Sequence, residues 1–217
     1  MNLPKLVSVL ATSELYLSSL ASFAEDPWEG KYPPVVRQKL IDYYESEARK
    51  RGVAVNPNLS VPDWGSGIMR TSTYVNCWCM QDHELVAMWR IYGGTSGVAL
   101  RTQYSLLREA LPPSVFIGTV HYINPATDQF PTENYLHLVM HKRHFFSYEK
   151  ECRVVKWEGE KVFEKPDEGQ RLSFDLKKGI QRVVVSPLAP AWYKDCVTAV
   201  VERFAAWLPV ATSEMIQ

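Results

Sequence analysis

Tyr148-Glu149-Lys150-Glu151-Cys152-Arg153 sets two carboxylates and a guanidinium at alternate positions in a stretch rich in β-formers. In a strand, successive side chains point to opposite faces, so Glu149, Glu151 and Arg153 are expected side by side on one face. Two kinds of chemistry suit that row. As a solvated ion pair it contributes a fraction of a kcal/mol. As an active site it offers one carboxylate as the reacting acid or as acceptor for a ligand hydroxyl, with Arg153 holding its neighbour ionised. On the second reading Glu151 is the polarising carboxylate and Glu149 its partner.

Other residues are candidates for binding rather than proton transfer. Met88, Trp89 and Tyr92 fall on nearly one face of a short helix, the spacing of a core-facing stripe. Trp89 or Tyr92 at that helix end can also stack on a base or nicotinamide ring, and Gly93-Gly94 lets a ligand approach the backbone. Cys77 and Cys79 share a strand face, and His137 and His141 stand at i, i+4 on an expected helix, so a zinc site can be drawn. The cysteine spacing is shorter than structural zinc sites use, and no metal is expected. Asp26, before a proline in Glu-Asp-Pro-Trp-Glu-Gly, suits a turn or cap.

The elements that must position these residues follow from periodicity. The stretch from Leu3 to Glu14 has helical spacing at Leu3, Leu6, Val7 and Leu10, and the apolar-rich Glu14–Ser19 looks like a strand. A loop with Pro27, Gly30, Pro33 and Pro34 precedes an amphipathic helix from Val35 that Gly52 closes. Two prolines and two glycines without period make residues 53–70 an expected irregular excursion. Beyond it come a strand over Thr73–Met80, a helix over 82–94, a strand over 96–102 and a helix over 103–111. A long strand over 114–123, a helix capped by Thr132 and reaching Phe146, and the strand of the charged row follow. A hairpin-like excursion over 158–170, two further segments ending in the strand over 180–187, and a helix from Ala191 to about Trp207 complete the chain. Several strand pairs lie too close in sequence for helical crossovers. The fold class is therefore α+β, with a mixed or mostly antiparallel sheet and flanking helices in a single domain over 1–217.

Lys plus Arg equals Asp plus Glu at 24 each, so no global field favours nucleic acid or an acidic membrane. No apolar run approaches the roughly 20 residues of a membrane span, and the start lacks signal-peptide features. A cytoplasmic protein with no membrane partner and with reduced thiols at all four cysteines is expected. No Gly-rich dinucleotide fingerprint or P-loop is present.

Phe23…Asp26-Pro27, Cys77-Trp78-Cys79, Met88-Trp89-Arg90-Ile91-Tyr92, Lys142 and Tyr148-Glu149-Lys150-Glu151-Cys152-Arg153, in this order, resemble a large bacterial family of unknown function. The likeness spans about residues 14 to 206 and departs from the family pattern at Glu25, where an Asn is usual. Members often sit in bacterial or prophage genomes, sometimes near phage-defence genes. The Glu-x-Glu at the start of a late strand is also similar to the catalytic strand of ADP-ribosyltransferases, and Arg70-Thr71-Ser72-Thr73 to their Ser-Thr-Ser strand. That similarity implies an ADP-ribosyltransferase-like fold and NAD or a related nucleotide as ligand. Glu151 and Glu149 are then the catalytic residues, with Tyr92, Trp89, Arg153, Ser72 and Asp26 on the ligand side and an unidentified protein or nucleic acid as target. The competing expectation is a non-catalytic interaction or sensor protein, in bacterial phage defence, whose charged row is structural.

Overall fold

The computed structural model describes residues 1–23, 26, 28–56, 60–159 and 168–216. Along the chain the helices are α1 (Leu3–Thr12), α2 (Pro34–Lys50), α3 (Val61–Ser72), α4 (Val86–Met88), α5 (Tyr104–Ala110), α6 (Leu136–Met140), α7 (Leu176–Gly179) and α8 (Ala191–Ala205). The strands are β1 (Glu14–Ser19), β2 (Thr73–Cys79), β3 (Val98–Arg101), β4 (Phe116–Thr119), β5 (His121–Ile123), β6 (His141–Arg143), β7 (Glu151–Trp157), β8 (Gly169–Ser173), β9 (Arg182–Val185) and β10 (Val210–Thr212). The class is α+β. A sheet of order β4-β7-β2-β1-β8 has β4, β7, β2 and β1 paired antiparallel, and smaller sheets have the orders β10-β9-β3 and β5-β6. Among the described residues no helix is long and apolar enough to cross a membrane.

Where chain length suggests one domain, the structure falls into two compact units built from discontinuous segments. The first unit takes Met1–Tyr16, Gln81–Val115 and Arg171–Gln217. Its helix α1 is started by the Asn2 side chain, which accepts from the Lys5 amide at 3.1 Å, and is stopped by Ser13 in the left-handed region. Leu6, Val9 and Leu10 of α1 are buried, as is the i, i+4 stripe Tyr193, Val197, Val201 and Ala205 of α8, against which α1 packs. After Met88 the chain continues through a π-turn, Trp89–Gly93. The close backbone approach offered by this glycine pair is taken by the chain itself, since a Cβ added to Gly97 would lie 2.4 Å from Gly93 Cα.

The second unit takes Leu17–Met80 and Phe116–Gln170 and carries the charged row. Leu20, Tyr32, Met69, Val75, Leu138, Val139 and Val155 form its apolar core, with Phe23, Val36, Leu40 and Phe130 packed on the edge. Glu25 and Pro27 of the Asp-Pro turn, and Glu160 to Asp167 of the expected hairpin-like excursion, lie outside the described residues.

Three local expectations are corrected here. The excursion over 53–70 is largely the helix α3. Its start is fixed by the Ser60 hydroxyl, which accepts from the Asp63 amide, and by Pro62 in the first turn, where a missing N–H costs nothing. Its Gly65 is crowded by the Tyr135 ring, 3.1 Å from where a Cβ would sit, so that glycine serves packing rather than a loop. The long strand over 114–123 breaks at Val120, because β4 pairs with β7 whereas β5 pairs with β6. The helix expected from Thr132 to Phe146 is α6 alone. Val139 carbonyl, which a continuing helix would present to the amide of residue 143, instead accepts from Arg153 Nη1 at 2.6 Å, and the chain turns into β6.

The close approach in the first unit can be tested directly. Gly97→Ala should destabilise the protein by about 1 to 3 kcal/mol, the cost of forcing atoms into packed structure, measured as a fall in denaturant midpoint at unchanged slope. Unchanged stability would show that the Gly93–Gly97 contact is not close-packed.

Candidate functional site

The charged row is neither solvated nor confined to one strand. Glu151 opens β7 and Arg153 follows on the same face, but Glu149 closes a 3-10 turn over His144–Glu149. Lys150, in the left-handed region with φ 42°, reverses the chain between them. Glu149 and Glu151 meet through Lys142 of β6, whose ammonium donates to Glu149 Oε2 at 2.6 Å and to Glu151 Oε1 at 2.8 Å. Arg153 donates from Nε to Glu151 Oε2 at 2.8 Å and from Nη2 to Glu151 Oε1 at 3.1 Å. It also binds Glu29, from the turn near the start of the chain, and the Val139 carbonyl. All five ionisable residues are buried, Arg153 with no solvent exposure.

Aromatic residues enclose the charges. The Arg153 guanidinium lies 5.9 Å from the Phe23 ring centre and the Lys142 ammonium 4.6 Å from that of Phe146. The Tyr122 hydroxyl accepts the Glu151 amide at 2.8 Å, and burial pushes its pKa up to about 12. Asp26, also buried, holds the turn by accepting the Trp28 amide at 3.0 Å, and Arg143 Nε lies 2.9 Å from the same oxygen. That last contact is an ion pair without hydrogen-bond alignment.

Three carboxylates face two cations, so the cluster holds one acid in excess. Burial alone would raise the Glu151 pKa, but the charge and hydrogen bonds of Arg153, with Lys142, hold it well below the usual carboxylate range. Burial would likewise lower Lys142, yet the Glu151 and Glu29 charges raise it. Glu29 goes the other way: burial raises it despite Arg153. Arg153 is itself drawn up by Glu29 and Glu151, and this asymmetry has a simple cause. One guanidinium shared between two carboxylates compensates both less than fully, and Glu151 also takes hydrogen bonds from Lys142 and Glu149. Glu151 is thus held ionised, while burial pushes Glu29 towards its neutral form.

Antiparallel register brings Cys77 opposite Arg153 and Cys79 opposite Glu151. Both cysteine residues are exposed, and none of the four cysteines forms a disulfide. Cys77 keeps solvent contact as a residue, whereas its thiol is surrounded closely enough that burial, and then hydrogen bonding to Glu151, raises its pKa.

The expected ligand-side residues scatter. Ser72 is a correction: Thr73 pairs with Trp157 while Cys79 pairs with Glu151, so Ser72 lies seven residues along the chain from the acid's partner, roughly 23 Å at 3.3 Å per residue. Its hydroxyl donates to the Ile68 carbonyl at 2.8 Å, closing α3. The residues that occupy the place expected of Ser72 are Cys77 and Cys79. Trp89 and Tyr92 belong to the first unit. Trp89 is a buried core residue whose indole donates to Glu84 Oε2 at 2.7 Å, and Glu84 also accepts from the Ser213 hydroxyl and the Glu214 amide. Tyr92 is exposed. His141 stands on β6 rather than on a helix with His137, and no group of three or more His, Cys, Asp or Glu among the described residues is arranged to hold a metal.

Sequence reasoning took Glu29 for a turn residue and gave Lys142 no chemical role. The signal for both is the set of motif segments itself, since Phe23, Asp26, Cys77, Lys142, Glu149, Glu151 and Arg153 all fall in the second unit. Compared with models of protein families, with curated proteins and with solved structures, the chain shows no match.

Arg153→Met leaves buried carboxylates uncompensated and should cost about 3 to 5 kcal/mol in chemical denaturation; a loss under about 1 kcal/mol would mean a solvated pair. The carboxylates should differ in the sign of their pH dependence. Glu151, with its folded pKa below the unfolded 4.5, contributes stability above that pH that is lost on acidification. Glu29, raised above 4.5, contributes stability below it that is lost as pH rises through the folded value. Relative to wild type, Glu151→Gln should therefore become more damaging from pH 4 to 6, and Glu29→Gln less damaging from pH 5 to 7.5. Parallel stability curves for wild type and both variants would refute these opposite shifts.

Proposed function

We propose that this chain acts by binding rather than by turnover, as an interaction or sensor protein whose charged cluster holds its second unit together. One observation carries the reading: Glu151, the intended polarising acid, already accepts three hydrogen bonds, from Lys142 at 2.8 Å and from Arg153 at 2.8 and 3.1 Å, in a buried place. A carboxylate so engaged has little acceptor capacity left for a ribose hydroxyl, and its depressed pKa makes it a poor base. Removing it is then a structural injury rather than a catalytic one. The family resemblance gives the setting, a bacterial cytoplasm and phage defence, with a protein or nucleic acid as the bound target.

A second reading is supported by the β2 side of the site. Cys77 and Cys79, opposite Arg153 and Glu151, are exposed. NAD or a related nucleotide approaching over β2 would reach Glu151 with Glu149 as its partner, in an ADP-ribosyltransferase-like reaction.

One incubation separates the two. Purified protein held with NAD and a cell extract, followed by chromatography for free nicotinamide, should release none above the buffer control. Nicotinamide release that survives purification and vanishes in Glu151→Gln, with the variant shown to be folded, would establish the enzyme reading and displace the first.

A further inference from the structure

Four of the chain's five histidines lie close together in the second unit, and three of them are stacked. His121 and His141 are register partners of the parallel pair β5-β6, with ring centres 5.4 Å apart and planes inclined by 28°. The His137 ring stands edge-on to His141 at 5.6 Å, and Phe130 covers His141 at 4.8 Å. His141 Nδ1 lies 2.7 Å from the His137 carbonyl, which can only accept, so Nδ1 carries hydrogen and Nε2 is the position open to a further proton. We propose that this histidine stack is an acid-sensitive latch on the β5-β6 pair, closed while the rings are neutral and opened when they gain protons.

Most of the charged groups around His141 oppose a proton on its ring, and the His137 carbonyl favours one. Its partner strand presents His121, α6 presents His137, and its own strand continues into Lys142 and Arg143. Lys31 shares with His141 a small cleft of about 20 Å³, where the acid is Asp26, already paired with Arg143. His144 turns to the Ile123 carbonyl at 3.3 Å, near Asp128. Burial lowers the His141 pKa from 6.5; the hydrogen bond to the His137 carbonyl works against it, and the charges of His121 and His137 add to the lowering. A group depressed in the folded state stabilises above its unfolded pKa and ceases to do so as pH falls, so acid favours any state in which the rings separate. The pair is short, with three residues in each of β5 and β6, and its other ties are those of Tyr122 and Lys142 to the charged cluster. Between His141 and Arg143 stands Lys142, the cation that joins Glu149 to Glu151, so parting of the strands reaches the charged cluster by one residue.

Amide exchange of the full chain, read by mass spectrometry at pH 7.5 and 5.5 and corrected for intrinsic rates, tests this. Peptides covering 121–123 and 141–143 should lose protection selectively relative to those covering 152–155, because protons bind the parted strands more readily than the paired ones. The His121→Gln/His141→Gln double variant should keep its protection at pH 5.5. Equal pH effects on the two sets of peptides, or the same selective loss in the double variant, would overturn the proposal. Should that variant not fold, imidazole titration of the wild type by NMR decides: a His141 midpoint below 6.5 that rises in His121→Gln is expected, and a midpoint at or above 6.5 overturns it.

Discussion

A guanidinium with no solvent contact must meet its N–H groups with acceptors inside the protein, and Arg153 does so by drawing on separate parts of the chain. The Glu29 turn, the last turn of α6 through the Val139 carbonyl, and Glu151 on its own strand all converge on it. Much of the local structure of the second unit follows from that demand. Helix α6 ends where its carbonyl is taken, β6 begins there, and Lys142 is brought to Glu149 and to Glu151, which it shares with Arg153. Phe23 and Phe146 enclose the cations, which strengthens each interaction and raises the cost of leaving any one unmade.

Such a cluster is poor at adding net stability and good at specifying one arrangement. Desolvating five ionisable groups is expensive, and the ion pairs repay it only while every partner is in place. The apolar core of Leu20, Met69, Val75, Leu138, Val139 and Val155 supplies the burial that makes the arrangement affordable. Val139 and Val155 take part in both, since they flank the charges along the chain while packing in the core. Glu29 and Glu151 are displaced in opposite directions by the same burial and the same guanidinium, so the cluster responds to pH through both.

Elements with strong local signals were legible in the sequence. The apolar spacing of α1, the extent of α8, and the β-formers of β2, β3 and β9 were read correctly because local preference and tertiary pairing agree there. The misreadings fall where a distant partner decides. A proline- and glycine-rich stretch became α3 because Ser60 caps it and Tyr135 packs on Gly65. The periodicity of 132–146 could not reveal that Arg153 would claim Val139's carbonyl. In the site, the proximity of Glu151 and Arg153 was legible from their i, i+2 spacing, but their burial was not. Glu29 and Lys142 reach the cluster across 124 and 9 residues of sequence, to Arg153 and Glu151 respectively. Ser72 was placed near the acid by likeness of a short fragment, and β2-β7 register, which no single segment encodes, put Cys77 and Cys79 there instead.

The central claim is that the charges act on one another inside the protein rather than each with water. A double-mutant cycle between Arg153 and Glu151, using Arg153→Met, Glu151→Gln and the double variant in chemical denaturation, measures that coupling most directly. The account predicts an interaction energy of about 1.5 to 3 kcal/mol, the upper part of the range for residues in one ionic network. Additivity within about 0.5 kcal/mol, as for independent sites, would contradict it.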